Sequence, residues 1–473
     1  MAKLGEQRLY ALKSSLEDTR SGLNGQTEYL LVWGELPAWM VVDAELRSLL
    51  HSFDGRHTVT DLVTGLARRT GREPAQLMRE ALPVLGQLCD RGILGTSRRS
   101  ATPPPEPVGI ANVTVNLTNR CNLNCSFCYN ERRSGTEIGV QLLMERIEQS
   151  RDLLDREASF IVLGGEPLLD VSRLLEALDR AERIFTTPSL LSTNGTLLTR
   201  ETVAQLASRR VQVQVSLDSP VAATHDAVRG QGVFVQAVAG IRRLTDAGVY
   251  TIMSMVYTRD SIAEMEPYLD LAAALGVDEA RFIPLRTIGR GVNQQQLRPN
   301  QLRAFEQLLS VLQRRPELTR LLVRDYFSIL TTQFRFAARR TSCGLGRKVV
   351  FIDADGSVYP CPNHVSAQHR AGSLATETLG QLVLHSPAFC AVRDRYQVAR
   401  YRRCQSCPFR HWCAGDCRGE VLSTSGDPWE PSPHCSELRE VYRRILWLLA
   451  SQGAPLGTHR HAAGGSRAND TFV

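Results

Sequence analysis

Val113-Thr114-Val115-Asn116-Leu117 runs through Thr118-Asn119-Arg120 into Cys121-Asn122-Leu123-Asn124-Cys125-Ser126-Phe127-Cys128. The first five residues read as a strand. The last eight place three thiols on one loop at its C-terminal end. A structural zinc site takes four ligands, and so does a [4Fe–4S] cluster held wholly by protein. Three close thiolates therefore either borrow a fourth ligand from elsewhere, as a zinc loop would, or leave one iron of a cubane without a protein ligand. An iron left open suits a cluster that must chelate and reduce a small molecule.

Outward from this loop the chain alternates. Strand-like runs recur at Phe160–Leu163, Ser189–Ser192, Val211–Leu217, Tyr250–Val256 and Ala280–Leu285. Helix-period stretches separate them, among them Gln141–Leu154, Ser172–Ile184, Val233–Thr245 and Ile262–Leu275. Six βα units over residues 110–296 predict an α/β fold, a parallel sheet with helices outside, curved as a partial or complete barrel. Such folds carry their chemistry at the C-terminal ends of the strands, where the three thiols stand.

With Cys121, Cys125, Cys128 and the aromatic Phe127, the loop resembles the CxxxCxΦC signature of the radical S-adenosylmethionine (radical SAM) superfamily. The resemblance implies a partial (β/α)6 TIM-like barrel and a [4Fe–4S] cluster that binds SAM. Gly164-Gly165-Glu166-Pro167 follows the second strand, where that family has its GGE motif. The glycines would let the backbone approach the ligand, and Glu166 would help hold the amino group of SAM. Ser192 and Asn194 after strand three, and Ser216 and Asp218 at the end of strand four, would meet its ribose and carboxylate. Phe127 would lie against the adenine, with Ile283 and Leu285 as an apolar wall. Taken singly, Gly164–Pro167 reads equally as a turn, and Ser192 or Asp218 as a cap; their joint order after successive strands carries the resemblance. The implied chemistry is one-electron cleavage of SAM to a 5′-deoxyadenosyl radical, which takes a hydrogen atom from an unreactive C–H bond. An electron donor such as flavodoxin or ferredoxin is implied with it.

A second cysteine string follows: Cys343-x12-Gly356-x4-Cys361, then Cys404-x2-Cys407-x5-Cys413-x3-Cys417-x17-Cys435. It resembles the SPASM domain, a C-terminal extension of radical SAM enzymes with two auxiliary iron–sulfur clusters; a zinc ribbon is the alternative for the four middle cysteines. By position, Cys404, Cys407, Cys413 and Cys435 would hold one cluster, and Cys343, Cys361 and Cys417 the other. Two departures from the family stand out. Gly344–Val350 lacks a further cysteine, so the fourth site of the latter cluster is either open, and able to bind a substrate thiolate, or filled by Asp353, Asp355, His364 or another group. Gly415-Asp416-Cys417 stands where relatives often have Gly-Gly-Cys. Cys89 and Cys390 stand alone in apolar, helix-like settings and read as buried small hydrophobes.

At the other end, Tyr29–Trp33 and Trp39–Val42 flank Gly34-Glu35-Leu36-Pro37 as a hairpin. Helix-like stretches follow: Ala44–Phe53; one opened by the capping box Thr58–Asp61, with Val59, Leu62, Val63 and Leu66 on one face; and one after Pro74, with Leu77, Ala81, Leu85 and Leu88 inward and Pro83 as an expected kink. Tyr29–Trp33, Phe53-Asp54-Gly55 and Leu85–Leu94 resemble the PqqD-like peptide recognition element, which implies a leader peptide adding as a strand to the exposed hairpin edge and packing on the third helix. A winged-helix DNA-binding domain is the competing assignment. Residues 24–100 hold nine Arg against nine Asp or Glu, without the basic excess of a DNA-binding face.

The 473 residues suggest about three domains at roughly 150 residues each. The expected division is a flexible lead-in over 1–23, the recognition module over 24–100, a Pro-rich linker over 101–109, the barrel over 110–296, a helical bridge over 297–340, SPASM over 341–450 and a loose tail over 451–473. With 43% hydrophobic and 22% charged residues the chain can build sizeable cores. No signal-peptide pattern or membrane-spanning run is present, and the net charge of +7 is spread without a basic block. The expectation is a cytoplasmic enzyme with no nucleic-acid or membrane partner, ten of whose twelve cysteines act as ligands rather than in disulfides. Together these readings point to a maturase that cross-links a ribosomally made precursor peptide oxidatively, through a carbon–carbon or thioether bond. A radical SAM/SPASM enzyme of proteins or cofactor precursors, and a non-enzymatic iron–sulfur regulator, are the alternatives.

Overall fold

The alternation in Leu30-Leu31-Val32-Trp33 sends successive side chains to opposite faces of a strand. In the computed structural model, which describes residues 2–22, 25–97, 107–131, 135–323 and 340–451, both faces are buried. A helical turn α1 (Ala2–Gly5) leads into β1 (Arg8–Ala11) and β2 (Leu16–Ser21). The segment expected as a loose lead-in is thus largely built: β2 pairs with β3 (Thr27–Trp33), which pairs with β4 (Ala38–Val42). β1 is flanked by β5 (Asp54–Thr58) and by the short β6 (Leu94–Gly95). The sequence of 1–23 is polar because β2 is half-exposed, so its strands carry no apolar alternation.

The three helices of this module follow the expected pattern. α2 spans Ala44–His51, and α3 (Val59–Thr70) opens on the Thr58–Asp61 capping box and ends at Gly71 in the left-handed region. α4 (Pro74–Asp90) buries Leu77, Ala81, Leu85 and Leu88 and continues through Pro83. Leu31, Trp33, Met40 and Val42 pack on these helices, whereas Leu30, Val32 and Trp39 join the main core.

The main sheet holds β7 (Ile110–Asn116), β8 (Leu154–Leu163), β9 (Ser189–Thr193), β10 (Val211–Ser216), β11 (Thr251–Tyr257) and β12 (Glu279–Pro284) side by side, all parallel. Helices α5 (Val140–Glu148), α6 (Val171–Ile184), α7 (Arg200–Ala207), α8 (Ala222–Arg229), α9 (Val233–Asp246) and α10 (Met265–Ala274) connect them. α5 stops short of the expected Leu154, which instead starts β8. β12 and β7 are not paired, so the arc is open, and β13 (Val349–Ile352) adds to the free edge of β7 in parallel. β14 (Ser357–Tyr359) and β15 (Gly372–Ser373) continue the sheet antiparallel. The cysteine-rich region is therefore welded to the barrel through backbone pairing.

α11 (Gln301–Arg314) represents the expected bridge. The positions 324–339 of that bridge, most of the expected linker and nearly all of the expected tail lie outside the described residues. The chain's last described helix, Cys435–Ser451, buries Leu438, Val441, Tyr442, Ile445 and Leu446 in the core that takes in Leu30, Val32 and Trp39. Polar contacts lock the same joint. Asp18 of β2 accepts from Trp447 Nε1 at 2.8 Å and from Arg443 at 2.5 Å, and the Arg20 guanidinium lies 4.4 Å from the Trp447 ring centroid.

Candidate active site and auxiliary cysteine groups

The three-cysteine loop leaves the end of β7 and is held from three sides by main-chain bonds. Gly165 N–H donates to Thr118 O at 2.7 Å and Glu166 N–H to Arg120 O at 2.8 Å. Ser126 N–H donates to Val228 O, and Arg290 N–H to Cys128 O, each at 3.0 Å. The glycines are forced by this closeness. Gly164 has φ +149° and a Cβ there would stand 2.5 Å from Thr118 O; at Gly165 it would stand 2.0 Å from Arg120 O. The sequence suggested that these glycines make room for a ligand, but the atoms they make room for are the chain's own carbonyls.

Glu166 is fully buried and its carboxylate accepts from Leu168 N–H, from Thr193 Oγ1 at 2.7 Å and from Asn194 N–H at 2.8 Å. Burial raises its pKa against these bonds. A carboxylate offers about four acceptor directions, so three donors leave room for one more. Asn194 donates to Asn122 of the cysteine loop at 2.9 Å, and Asn122 donates to Thr196, so the loop after β9 is tied to the thiols. Ser192 and Ser216 are half-buried near the C-terminal ends of β9 and β10; Ile283 is half-buried on β12, and Leu285 is buried just beyond it.

Asp218 is paired within the protein. Its carboxylate takes Arg229 Nε at 2.5 Å, Arg229 Nη2 at 3.1 Å and Val256 N–H at 3.1 Å. Arg229 Nη1 lies 4.0 Å from Cys125 Sγ, and its guanidinium carbon 5.9 Å from the Phe127 centroid. The Cys125 thiol is pushed up by burial, while Arg229 pulls it back toward the thiolate and Cys121 and Cys128 oppose that pull, as thiols sharing one locality must. Asp218 N–H donates to His225 Nδ1 at 3.0 Å, and His225 is fully buried, which lowers its pKa to about 4. His225 thus stands as a buried support behind Asp218. A cavity of about 400 Å³ does lie between the cysteine loop and α8, lined by Asn122, Ser126, Asp226, Arg229 and Gly230 among others.

The residues after β12 serve a joint. Arg286 binds Glu420 at 2.7 Å and Asp416 at 3.1 Å, and Thr287 N–H and Oγ1 donate to Glu420 as well. Arg290 reaches Asn124, and Gly289 adopts φ +56° so that its Cα can pass the carbonyls of Cys128 and Tyr129. Nothing in the sequence separates an arginine for ligand from one for a domain joint; the buried acids it meets lie more than 100 positions away.

The second cysteine string is spread over two neighbouring places. Cys404, Cys407, Cys413 and Cys435 line one small cavity beside Phe409 and Tyr442. Asn363 draws Cys361 and Cys417 together, its N–H donating to Cys361 Sγ at 3.5 Å and its Nδ2 to Cys417 Sγ at 3.4 Å. Cys343 and Cys361 share an apolar cluster with Tyr396, Tyr401 and Cys404, so the two places adjoin. Among the described residues no three His, Cys, Asp or Glu side chains converge on a single ion. Thiolates of one zinc each stand about 2.3 Å from it, whereas those of a cubane bind different irons and are spread wider. The donor set, all thiols, fits an iron–sulfur cluster. Asp416, in the place of a glycine, takes φ +57°, with its carboxylate held by Arg286 and by Ser432 at 2.6 Å. Cys390 is exposed, contrary to expectation, because its helix Pro387–Arg395 turns Phe389 and Val392 inward. Cys89 is half-buried on α4.

Comparison with known proteins agrees with this architecture. Residues 115–272 match the radical SAM superfamily, and residues 343–408 match SPASM, an iron-sulfur cluster-binding domain. The mycofactocin maturase MftC of Mycolicibacterium smegmatis is 31% identical over 340 residues, 69% of this chain and 82% of that protein. The PqqA peptide cyclase of Streptomyces rochei is 28% identical over 343 residues, 69% of this chain and 89% of its own. Among solved structures, Streptococcus suis SuiB bound to precursor peptide SuiA superposes with a TM-score of 0.55 at 14% identity, covering 90% of this chain and 99% of SuiB. A match leaving out only about a tenth of the chain extends into the N-terminal module, so the likeness of fold includes it. No helix among the described residues is long and apolar enough to cross a membrane.

Proposed function

This chain belongs to the radical SAM superfamily and carries a SPASM iron–sulfur domain, and from that premise we propose that it matures a ribosomally synthesised precursor peptide by oxidative cross-linking. When bound, the clusters and SAM supply one-electron chemistry able to take a hydrogen atom from an unactivated C–H bond. Cys121, Cys125 and Cys128 are the thiolates for the SAM-binding cluster. Glu166 keeps one acceptor direction for the amino group of SAM, and Ser192, Asn194 and Ser216 are polar groups near it at the strand ends. Phe127, Ile283 and Leu285 provide apolar surface for the adenine. Asp218 acts through Arg229, whose charge beside Cys125 favours the thiolate form.

The observation that carries the peptide reading is the N-terminal module itself. β3 is covered on one side by β2 and on the other by β4, and β4 has no strand on its far side among the described residues. A sheet edge of this kind can take an extended leader as an added strand, the mode of a PqqD-like element. The module is packed on the helix that begins at Cys435, so a peptide held there is anchored to the cysteine-rich domain and not to a free tether. The names of two relatives, a peptide cyclase and a protein solved with its precursor peptide, favour a peptide substrate here too. Cross-linking by C–H abstraction needs a second electron to leave, and the two SPASM cysteine groups supply sites for it.

Anaerobic co-expression with a short peptide gene adjacent to this one, followed by mass spectrometry of the peptide, tests the proposal. Loss of two hydrogen masses, mapped to one linked pair of residues, is the expected result. An unchanged mass with an inverted stereocentre would make the protein an epimerase instead.

A further inference from the structure

The first auxiliary group brings together three thiols, Cys343, Cys361 and Cys417, and a [4Fe–4S] cluster takes four ligands. Three nearby side chains have donor atoms to offer, and the structure separates them. Asp353 is buried but points to the barrel, where its Oδ1 accepts from Asn116 and Asn119 at 3.3 and 3.2 Å. Asp355 is exposed and caps Ser357 N–H at 2.8 Å. His364 is different: it is 3% exposed, and neither ring nitrogen has a hydrogen-bond partner among the described residues.

A buried polar group without a partner is destabilising, so two on one ring call for one. His364 sits among the right neighbours. Its N–H donates to Cys361 O at 3.0 Å, which starts the ring one turn beyond that cysteine. The preceding residue, Asn363, bonds to the sulfurs of both Cys361 and Cys417. The ring packs edge-on to Tyr396 with centroids 5.3 Å apart, and Tyr396 lies in the apolar cluster that contains Cys343 and Cys361. His369 also meets it edge-on, with centroids 5.0 Å apart, but already bonds to Ser366.

We propose that His364 is the fourth ligand of the first auxiliary cluster, joining Cys343, Cys361 and Cys417. The proposal rests on reading these cysteines as an iron–sulfur site. It assigns that cluster to electron transfer, because an iron closed by imidazole has no position for a substrate thiolate. Replacing an anionic thiolate by a neutral imidazole also raises the reduction potential, as in Rieske centres, which suits an acceptor of the second electron.

The test uses the full chain carrying Cys121→Ala, Cys125→Ala and Cys128→Ala, grown with 15N-histidine and reconstituted anaerobically with iron and sulfide. Pulsed EPR of the reduced protein is expected to show a histidine nitrogen bound to iron, absent in His364→Asn. His364→Cys is expected to keep the iron content and to lower the midpoint potential of one auxiliary cluster. Iron counting in Cys361→Ala separates the two levels of the argument. If that variant loses one cluster while the parent shows no iron-bound histidine nitrogen, His364 is not the ligand. If it loses no iron, the iron–sulfur reading falls and the proposal with it.

Discussion

Arg286, just beyond the last barrel strand, reaches into the cysteine-rich domain and holds Asp416 with Nη2–Oδ1 at 3.1 Å, one residue before Cys417. Asp416 occupies the left-handed region at φ +57°, which costs a non-glycine residue about 1–2 kcal/mol. The ion pair explains why an aspartate is kept there. Arg286 also binds Glu420, which is fully buried and whose pKa, raised by burial, is brought down to about 2 by His434 and Arg286.

Arg286→Leu takes the arginine from two buried carboxylates and leaves them only His434 as a counter-charge, and removal of one partner from a buried pair costs about 3–5 kcal/mol. A lowered anaerobic thermal midpoint is expected. Asp416→Gly releases the backbone strain and leaves Arg286 paired with Glu420, so its loss should be much smaller; equal losses in the two variants would refute this account of the joint.

Arg229 links the SAM-side thiols to the strand-four acid, with 10% side-chain exposure against 5% for Asp218. Arg229→Met removes a cation beside Cys125 and is expected to lower the reduction potential of the SAM-binding cluster and slow 5′-deoxyadenosine formation. Arg229→Lys keeps charge but not the two-pronged bond to Asp218 and should fall between. Redox titration of the anaerobic protein checks the order.

Much of this site was legible in the sequence, and the reason is chemical. Thiols at fixed spacing on a strand-end loop have few structural duties, so Cys121, Cys125 and Cys128 announce themselves. The same holds for the capping box Thr58–Asp61 and the apolar face of α4, where period and cap chemistry agree. What stayed hidden depends on partners distant in the chain. β2 is a strand only because β3 lies beside it, and Arg286 is a joint only because Asp416 and Glu420 come to it. The glycines Gly164 and Gly165 were found for their freedom, but the atoms that demand it are the carbonyls of Thr118 and Arg120.

His225 makes a pH signature. Its folded pKa is depressed to about 4 by burial, against about 6.5 in an unfolded chain. Above pH 6.5 both states are neutral and the group contributes fully; as pH falls from there toward 4, the unfolded chain takes up a proton that the folded one refuses. Stability should fall over that window by on the order of 3 kcal/mol and then level off. His225→Asn, which can still accept from Asp218 N–H, is expected to flatten that part of the profile, measured by denaturant midpoints between pH 7 and 5.

The joint between the N-terminal sheet and the helix Cys435–Ser451 offers a test of the proposal that this sheet holds the peptide. Asp18 is held by Arg443 and Trp447, and its carboxyl, which burial alone would raise, is brought below the usual range by these bonds. Asp18→Ala removes the acceptor for both without touching any cysteine. Faster hydrogen exchange in β2 and β3 is expected, together with a several-fold fall in peptide turnover. Uncoupled cleavage of SAM in the absence of peptide should be unchanged, because the cysteine loop is clamped by Val228, Gly165 and Arg290 within the barrel and not by the module. If both activities fell together, the module would be a general stabiliser of the fold; if neither fell, the leader would dock elsewhere. The contrast between the two rates therefore reads out whether a peptide bound at β4 is delivered through this joint.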